Sequence, residues 1–409
     1  MYKKFLTFVV SIGPGLFLVG YNIGTGSVTT MASAGASHGM SLTWAVLVSC
    51  ICTFVLIVIF GRFTLITGQT TLRSFRIHFG AGITIFVLLS LIISEMISSI
   101  GVMAVMVQAV QEWSKPLTSS GQGISTVLLA AFFAAALIVA LFNGRYSLIE
   151  KILALFVAIM GLCFIITMFM VIPDASSVIK GLVPGIPSEP NAGVLVAGML
   201  GTTMGGVLYV VRSITVKEKN WNVTDLKLER KDALISSVLM FLLSIAIMAC
   251  AAGTLYPEGL HVENAIDMIR LLEPLAGRFA ISLFVTGILC AGLSSLFPHY
   301  MLVPLLLSDY QDEKLNFQTT RNRVIMIFYA SLGLIVPIFG GRPVFFLIVS
   351  QALTLVATPV LLILMLILQN KGGLMGNYRA SLASNVALSI IILFTIYMSF
   401  VGVEGMLSI

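Results

Sequence analysis

Hydrophobic residues dominate this chain in long runs, and short polar stretches between the runs carry nearly all the charge. Apolar runs long enough to cross a bilayer as helices, about 20 residues each, lie at 6–34, 41–65, 82–111, 124–143, 147–172, 192–215, 232–255, 277–307, 324–340, 343–368 and 383–403. The pattern predicts an all-α polytopic membrane protein with 11 transmembrane helices. One further stretch, "VENAIDMIRLLEPL" (262–275), reads as a short amphipathic helix outside the membrane.

Two of the runs are interrupted by glycines and small polar residues, the first at "NIGTGS" (22–27) and the sixth at "GTTMGG" (201–206). Five spans separate them, an odd number, so the two halves of the chain run in opposite directions. Interrupted segments at matching places in two such halves point to an inverted-repeat transporter whose binding site lies near mid-membrane. Irregular backbone survives at that depth only where it lines a cavity or is buried in protein. The plainer alternative is that these glycines only let helices pack closely. The repeats are placed at 1–172 (spans 1–5) and 192–368 (spans 6–10), with 383–403 as an extra span.

Composition agrees: 58% of the residues are hydrophobic and 10% charged, against roughly 25% charged in soluble domains. Mean hydropathy is +1.06. The apolar N-terminus follows only "MYKK" and shows no small-residue cleavage site, so no removable signal peptide is expected. All five cysteines sit in apolar runs and read as buried thiols rather than disulfides or metal ligands.

The net charge of +6 reports topology. With the N-terminus inside, only five of the 23 Lys and Arg fall outside: Lys115, Lys180, Arg270, Arg278 and Arg342. The positive-inside rule therefore places the N-terminus in the cytoplasm and the C-terminus outside, in a multi-pass protein of the plasma (inner) membrane. The basic balance needs no nucleic-acid partner; lipid and a small ionic substrate are the partners expected, and the chain is expected to work as a monomer.

The order of motifs resembles the Nramp metal transporters. "SIGPGLFLVGYNIGTGSVTTMASAGASHGMSLTWAVLV" is similar to that family's first two helices, while "GRYSLIEKILALFVAIMGLCF", "PDASSVIKGLVPGIP" and "LVAGMLGTTMGG" are similar to its fifth helix, the loop that follows and its sixth helix. "LLEPLAGRFAISLFVTGILCAGLSS" resembles the start of its eighth. The resemblance implies a LeuT-type fold of the amino acid–polyamine–cation superfamily: two inverted five-helix repeats with helices 1 and 6 broken, plus an eleventh helix.

At the site the sequence departs from the family. Where the family's first helix carries Asp-Pro-Gly-Asn, this chain has Gly24, Thr25, Gly26 and Ser27; where the sixth carries Met-Pro-His, it has Gly205, Gly206 and Val207. The family's carboxylate, amide and thioether ligands are all missing. Gln351 in "VSQALT" matches a glutamine that the family places beside the metal, Arg212 stands at the place of its helix-6 histidine, and an acidic pair on helix 3 is reduced to Glu95, with Ser98 in the other slot.

Selection of manganese or iron needs a charged oxygen and, for softer ions, sulfur; Thr25, Ser27 and Gln351 offer neither. No resident cofactor or metal site is expected. A broken helix offers free N–H groups at the start of its second half, near Ser27, and glycines let an anion approach them. The expected binding set is Asn22, Gly24, Thr25, Gly26, Ser27, Gly205, Gly206 and Gln351, and the leading expectation is uptake of a small anion, bicarbonate or a short carboxylate. A divalent cation (Mg²⁺ or Mn²⁺) and an amino acid remain as alternatives. Coupling to H⁺ or Na⁺ is assigned to Glu95, which is costly mid-span, or to Ser294 and Ser295 of span 8. Arg212 is read as attracting an anion or gating the exit, or as snorkelling to lipid phosphate. His38 and His299 are read as interfacial or core residues, with no catalytic residue anywhere. A channel lacks any filter-like repeated loop here, and no hydrolase or nucleotide motif supports an enzyme.

Overall fold

A helix that satisfies every backbone group internally is the one open-chain element that hydrocarbon tolerates, and the chain is built of such helices. A computed structural model describes residues 24–143, 146–171, 175–189, 191–276 and 279–407. Its principal helices are α1 (Thr25–His38), α2 (Thr43–Thr67), α3 (Ala81–Ser114), α4 (Thr126–Phe142), α5 (Tyr146–Met170), α6 (Ala192–Glu218), α7 (Leu226–Thr254), α8 (Ala280–Gln311), α9 (Thr320–Phe339), α10 (Pro343–Asn370) and α11 (Leu382–Leu407). A helix thus stands at each predicted span. For span 1 only the second half is described; its first half, with Asn22, lies outside the described residues. Eight of the helices are long and apolar enough to cross a membrane by length and composition.

Burial separates the centre from the rim. Every residue of the most apolar 18-residue stretch of α6 is buried, against a third of the equivalent stretches of α9 and α11. An apolar helix covered on all sides belongs in the core. The first half of α6 lies against α1 and α10, its second half against α2, and α3 packs on both α8 and α10. Glycine sets how close these helices come. A β-carbon at Gly201 would land inside contact distance of the Gln351 carbonyl oxygen, and one at Gly35 would do the same to the Met248 carbonyl. The close-packing role weighed for these glycines is therefore real at Gly201, alongside any role in a cavity.

The loops sort into two groups at opposite ends. One end joins Arg73 to Asp312 (2.9 Å), Arg62 to the Tyr378 carbonyl (2.8 Å) and Lys371 to His78 (3.0 Å). The other joins Trp44 to the Gly185 carbonyl (3.0 Å) and Ser37 to His261 (3.3 Å). This alternation follows the predicted span order. The 262–275 stretch forms a 3-10 helix, Ala265–Leu272, whose Met268, Leu271 and Leu272 are buried; its apolar face is turned into the bundle.

Arg212 corrects its sequence reading. It is fully buried, donating from Nη1 to Asp232 Oδ2 at 2.5 Å and from Nη2 to Glu229 Oε1 at 3.2 Å, with Trp221 against its guanidinium. Both carboxylates are on the first turns of α7, three residues apart and so on one face. The side chain neither snorkels to lipid nor reaches the cavity described below; it fastens the second half of α6 to α7. Removing one partner of a buried pair leaves uncompensated charge and costs about 3–5 kcal/mol. Arg212→Ala is thus expected to lower the unfolding temperature in detergent sharply, with Arg212→Lys recovering part of the loss. An unchanged melting curve for Arg212→Ala would contradict this role.

Candidate substrate site

The predicted break in span 6 is present, and the start of the described part of span 1 meets it at one place; residues 22 and 23 of the predicted first break lie outside the described residues. Gly24 is extended (φ −102°, ψ −167°) and α1 begins at Thr25, two residues before the predicted Ser27. α6 is interrupted at the single residue Gly205 (φ −59°, ψ 135°), which ends Ala192–Met204 and opens Gly206–Glu218. Helix starts of this kind leave amides without an intrahelical acceptor, and helix ends leave carbonyls without a donor. One such carbonyl, of Thr203, accepts from Thr53 Oγ1 of α2 at 2.8 Å.

Between the breaks lies a cavity of about 40 Å³, room for about three waters or a small ion with part of its hydration. α1 contributes Gly24, Gly26 and Ser27; α6 contributes Thr202 and Gly205; α3, α8 and α10 close it with Glu95, Ser98, Ser295, His299, Gln351 and Thr354. Ser27 Oγ and Thr202 Oγ1 are 2.6 Å apart and join the two broken helices directly. Gln351 Nε2 donates to Ser98 Oγ at 3.5 Å, and a β-carbon at Gly26 would meet that nitrogen at 2.8 Å.

Of the predicted set, Gly24, Gly26, Ser27, Gly205, Gln351, Glu95 and Ser295 come together on the wall. Three do not. Among the described residues Thr25 is buried off the cavity with no partner for its hydroxyl, Gly206 packs towards Leu91, and Ser294 is absent from the lining. Helical rotation explains this: neighbours in sequence point about 100° apart, so a run of candidate residues cannot all face one point.

The residue that sequence reasoning missed is His299. Its Nε2 lies 2.9 Å from Glu95 Oε2 and its Nδ1 lies 2.5 Å from the Ser295 carbonyl oxygen, with both side chains buried. It is neither interfacial nor a plain packing residue. Pro298 inside α8 removes the amide that would bond the Ser294 carbonyl and loosens this turn. A carbonyl oxygen only accepts, so Nδ1 carries a proton. The contact between Nε2 and Glu95 then needs one further proton, on either atom. With it the pair is neutral overall; without it the cavity wall carries one negative charge. No group of three or more His, Cys, Asp or Glu capable of holding a metal ion occurs among the described residues.

The sequence matches the family described as "Nramp: Natural resistance-associated macrophage protein-like" over residues 15–403. The chain belongs to the Nramp family. It is 27% identical over 411 residues to the natural resistance-associated macrophage protein 2 homolog of Dictyostelium discoideum, covering 96% of this chain and 62% of that protein, and so spans under two thirds of that relative's length. It is 26% identical over 373 residues to the divalent metal cation transporter MntH of Klebsiella pneumoniae, covering 88% of this chain and 85% of that protein. A manganese transporter of Eremococcus coleocola shares the fold, with a TM-score of 0.76 at 12% identity, over 98% of this chain and 87% of that one. A nucleobase-cation-symport-1 family transporter in a closed conformation, with bromovinylhydantoin bound, gives 0.60 at 18% identity, over 98% and 91%. The LeuT-type fold expected from the motifs is thus the fold of this chain, a multi-pass membrane protein of the Nramp family.

The lining makes separate demands on Thr25 and Ser27. Ser27→Ala removes the 2.6 Å contact to Thr202 and is expected to reduce transport several-fold. Thr25→Ala deletes a buried hydroxyl without a partner and should leave transport and stability nearly unchanged. Initial uptake rates of both variants in proteoliposomes check this; equal losses would contradict the assigned cavity.

Proposed function

We propose that this Nramp-family protein carries a divalent cation that is small, hard and partly hydrated, held by neutral oxygens near mid-membrane. The observation that carries the reading is Glu95: one carboxylate, paired with the His299 imidazole, faces a cavity whose other polar groups are hydroxyls, an amide and backbone. A cation entering there is attracted to that wall, whereas an anion meets a negative group unless the Glu95–His299 pair holds its extra proton. The names of the relatives, a divalent metal cation transporter and a manganese transporter, favour the same side. The anion expected from the helix starts rests on N–H groups alone and loses to this carboxylate. A cavity of about 40 Å³ also suits an ion better than an amino acid.

Within the divalent ions, the donor set favours a hard one. Ser27, Thr202 and Gln351 supply neutral oxygen, and among the described lining residues there is no thiolate or thioether. Mg²⁺ dehydrates reluctantly and keeps several waters when bound, which fits a site of few protein ligands. Manganese is the ion a softer or more charged set would select.

Coupling falls to the Glu95–His299 pair. A divalent charge nearby disfavours the pair's extra proton, so cation binding and proton loss are linked. Sodium is the weaker reading: of the two serines assigned to it, only Ser295 lines the cavity. The wider frame of the proposal is a cytoplasmic N-terminus in the plasma membrane, working as a monomer, with the repeats 1–172 and 192–368 rocking about the site and 383–403 outside them.

Uptake into proteoliposomes of Mg²⁺, Mn²⁺, bicarbonate and short carboxylates, under imposed proton or sodium gradients, tests the reading. The expected result is uptake of Mg²⁺ over Mn²⁺, driven by a proton gradient, with the pH-dependence lost in Glu95→Gln. Accumulation of bicarbonate without either cation would overturn it.

A further inference from the structure

We propose a binding site for an anionic phospholipid on the basic face, where a cation pair caps an apolar groove. The groove, of about 470 Å³, runs between the short helix Thr71–Phe79 and the last turns of α10. Phe79, Leu366, Ile367 and Leu368 form its apolar wall, and Asn370 and Lys371 stand at its polar end. Ile367 is half exposed, as are Ile77, Ile83 and Phe86, which lie within a few residues of Phe79 in the chain.

The cap is built by three contacts. Lys371 Nζ lies 3.0 Å from His78 Nδ1, and an ammonium only donates, so that ring nitrogen accepts and the imidazole is neutral. Burial and the Lys371 ammonium hold His78 below the usual histidine range, in agreement. His78 therefore orients Lys371 without cancelling its charge. Arg379 folds its guanidinium over Gly372, the residue after Lys371, where a β-carbon would collide with Nη2. Arg62 pins this loop by donating to the Tyr378 and Arg379 carbonyls at 2.8 and 3.4 Å.

Among the described residues neither Lys371 nor Arg379 has a carboxylate within ion-pair distance. The neighbouring Arg73 shows the contrast, paired with Asp312 at 2.9 Å. Lys371, uncompensated at the polar end of an apolar groove, with the uncompensated Arg379 against the neighbouring Gly372, calls for a ligand with an anionic head and a hydrocarbon tail. Cations at a membrane surface attract anionic headgroups, and the groove gives the acyl chain a place that free phosphate would not use. The site is independent of the substrate reading and rests on the sidedness that puts this face at the inner leaflet.

Native mass spectrometry of the full chain, purified with equimolar phosphatidylglycerol and phosphatidylcholine, tests the site. The wild type is expected to retain phosphatidylglycerol preferentially. Lys371→Gln and Arg379→Gln should each reduce that preference by roughly five-fold, Lys371→Glu should abolish it, and Lys371→Arg should keep it. Melting curves in lipid-free detergent establish that each variant folds, and variants that match the wild type there are the ones compared. Equal retention of the two lipids by the wild type, or an unchanged preference in Lys371→Glu, overturns the proposal. So does protection against thermal unfolding by inorganic phosphate equal to that by phosphatidylglycerol vesicles, since the groove would then play no part.

Discussion

A helix that stops inside hydrocarbon exposes amides and carbonyls that bulk water cannot reach, and each must find a partner or a polar cavity. In this protein a helix begins after the extended Gly24 and α6 is interrupted at Gly205, and both places border one cavity. The surrounding structure answers that constraint. α6 is covered on all sides, Thr53 reaches across from α2 to the Thr203 carbonyl, and Ser27 and Thr202 join hydroxyl to hydroxyl. Gly201 lets α10 close against the break. Gly24, Gly26, Thr202 and Gly205, at and beside these places, line a cavity of about 40 Å³ that has a polar wall before any substrate is considered.

Into that polar space the fold puts one acid and one base. Glu95 on α3 and His299 on α8 are each costly alone at this depth, and each offsets the cost of the other. Because the Ser295 carbonyl fixes Nδ1 as a donor, the contact to Glu95 has one proton to gain or lose. A single proton thus switches the wall between neutral and negative. The buried triad of Arg212, Glu229 and Asp232 is a different arrangement, whose ion pairs join α6 to α7. It holds two helices together at one end and takes no part in the cavity.

Much of this was legible in the sequence because the bilayer imposes a simple rule. Span positions followed from hydropathy, and the break in α6 from glycines where none are needed. The quoted motifs identified the family, yet at the site they could only say which ligands were gone. The positions that faced the cavity were harder to read: Thr25, Gly206 and Ser294 adjoin lining residues but point elsewhere, since rotation about a helix axis is not set by local composition. His299 and Arg212 were misread for one reason. Their partners lie far along the chain, Glu95 more than two hundred residues before one and Glu229 and Asp232 beyond a loop from the other. A signal was there in both cases. A histidine deep in an apolar run is as costly as the glutamate already singled out, and acids three apart at a helix start share one face.

The most direct test of the account is to count protons on binding. Titrating Mg²⁺ into the purified protein by calorimetry, in buffers of different ionisation enthalpy, reads the number released per ion bound. The account predicts release approaching about one proton, from the single shared proton of the pair, and none from Glu95→Gln. Binding of Mg²⁺ with no proton release in the wild type, across the pH range where the pair is protonated, would contradict it.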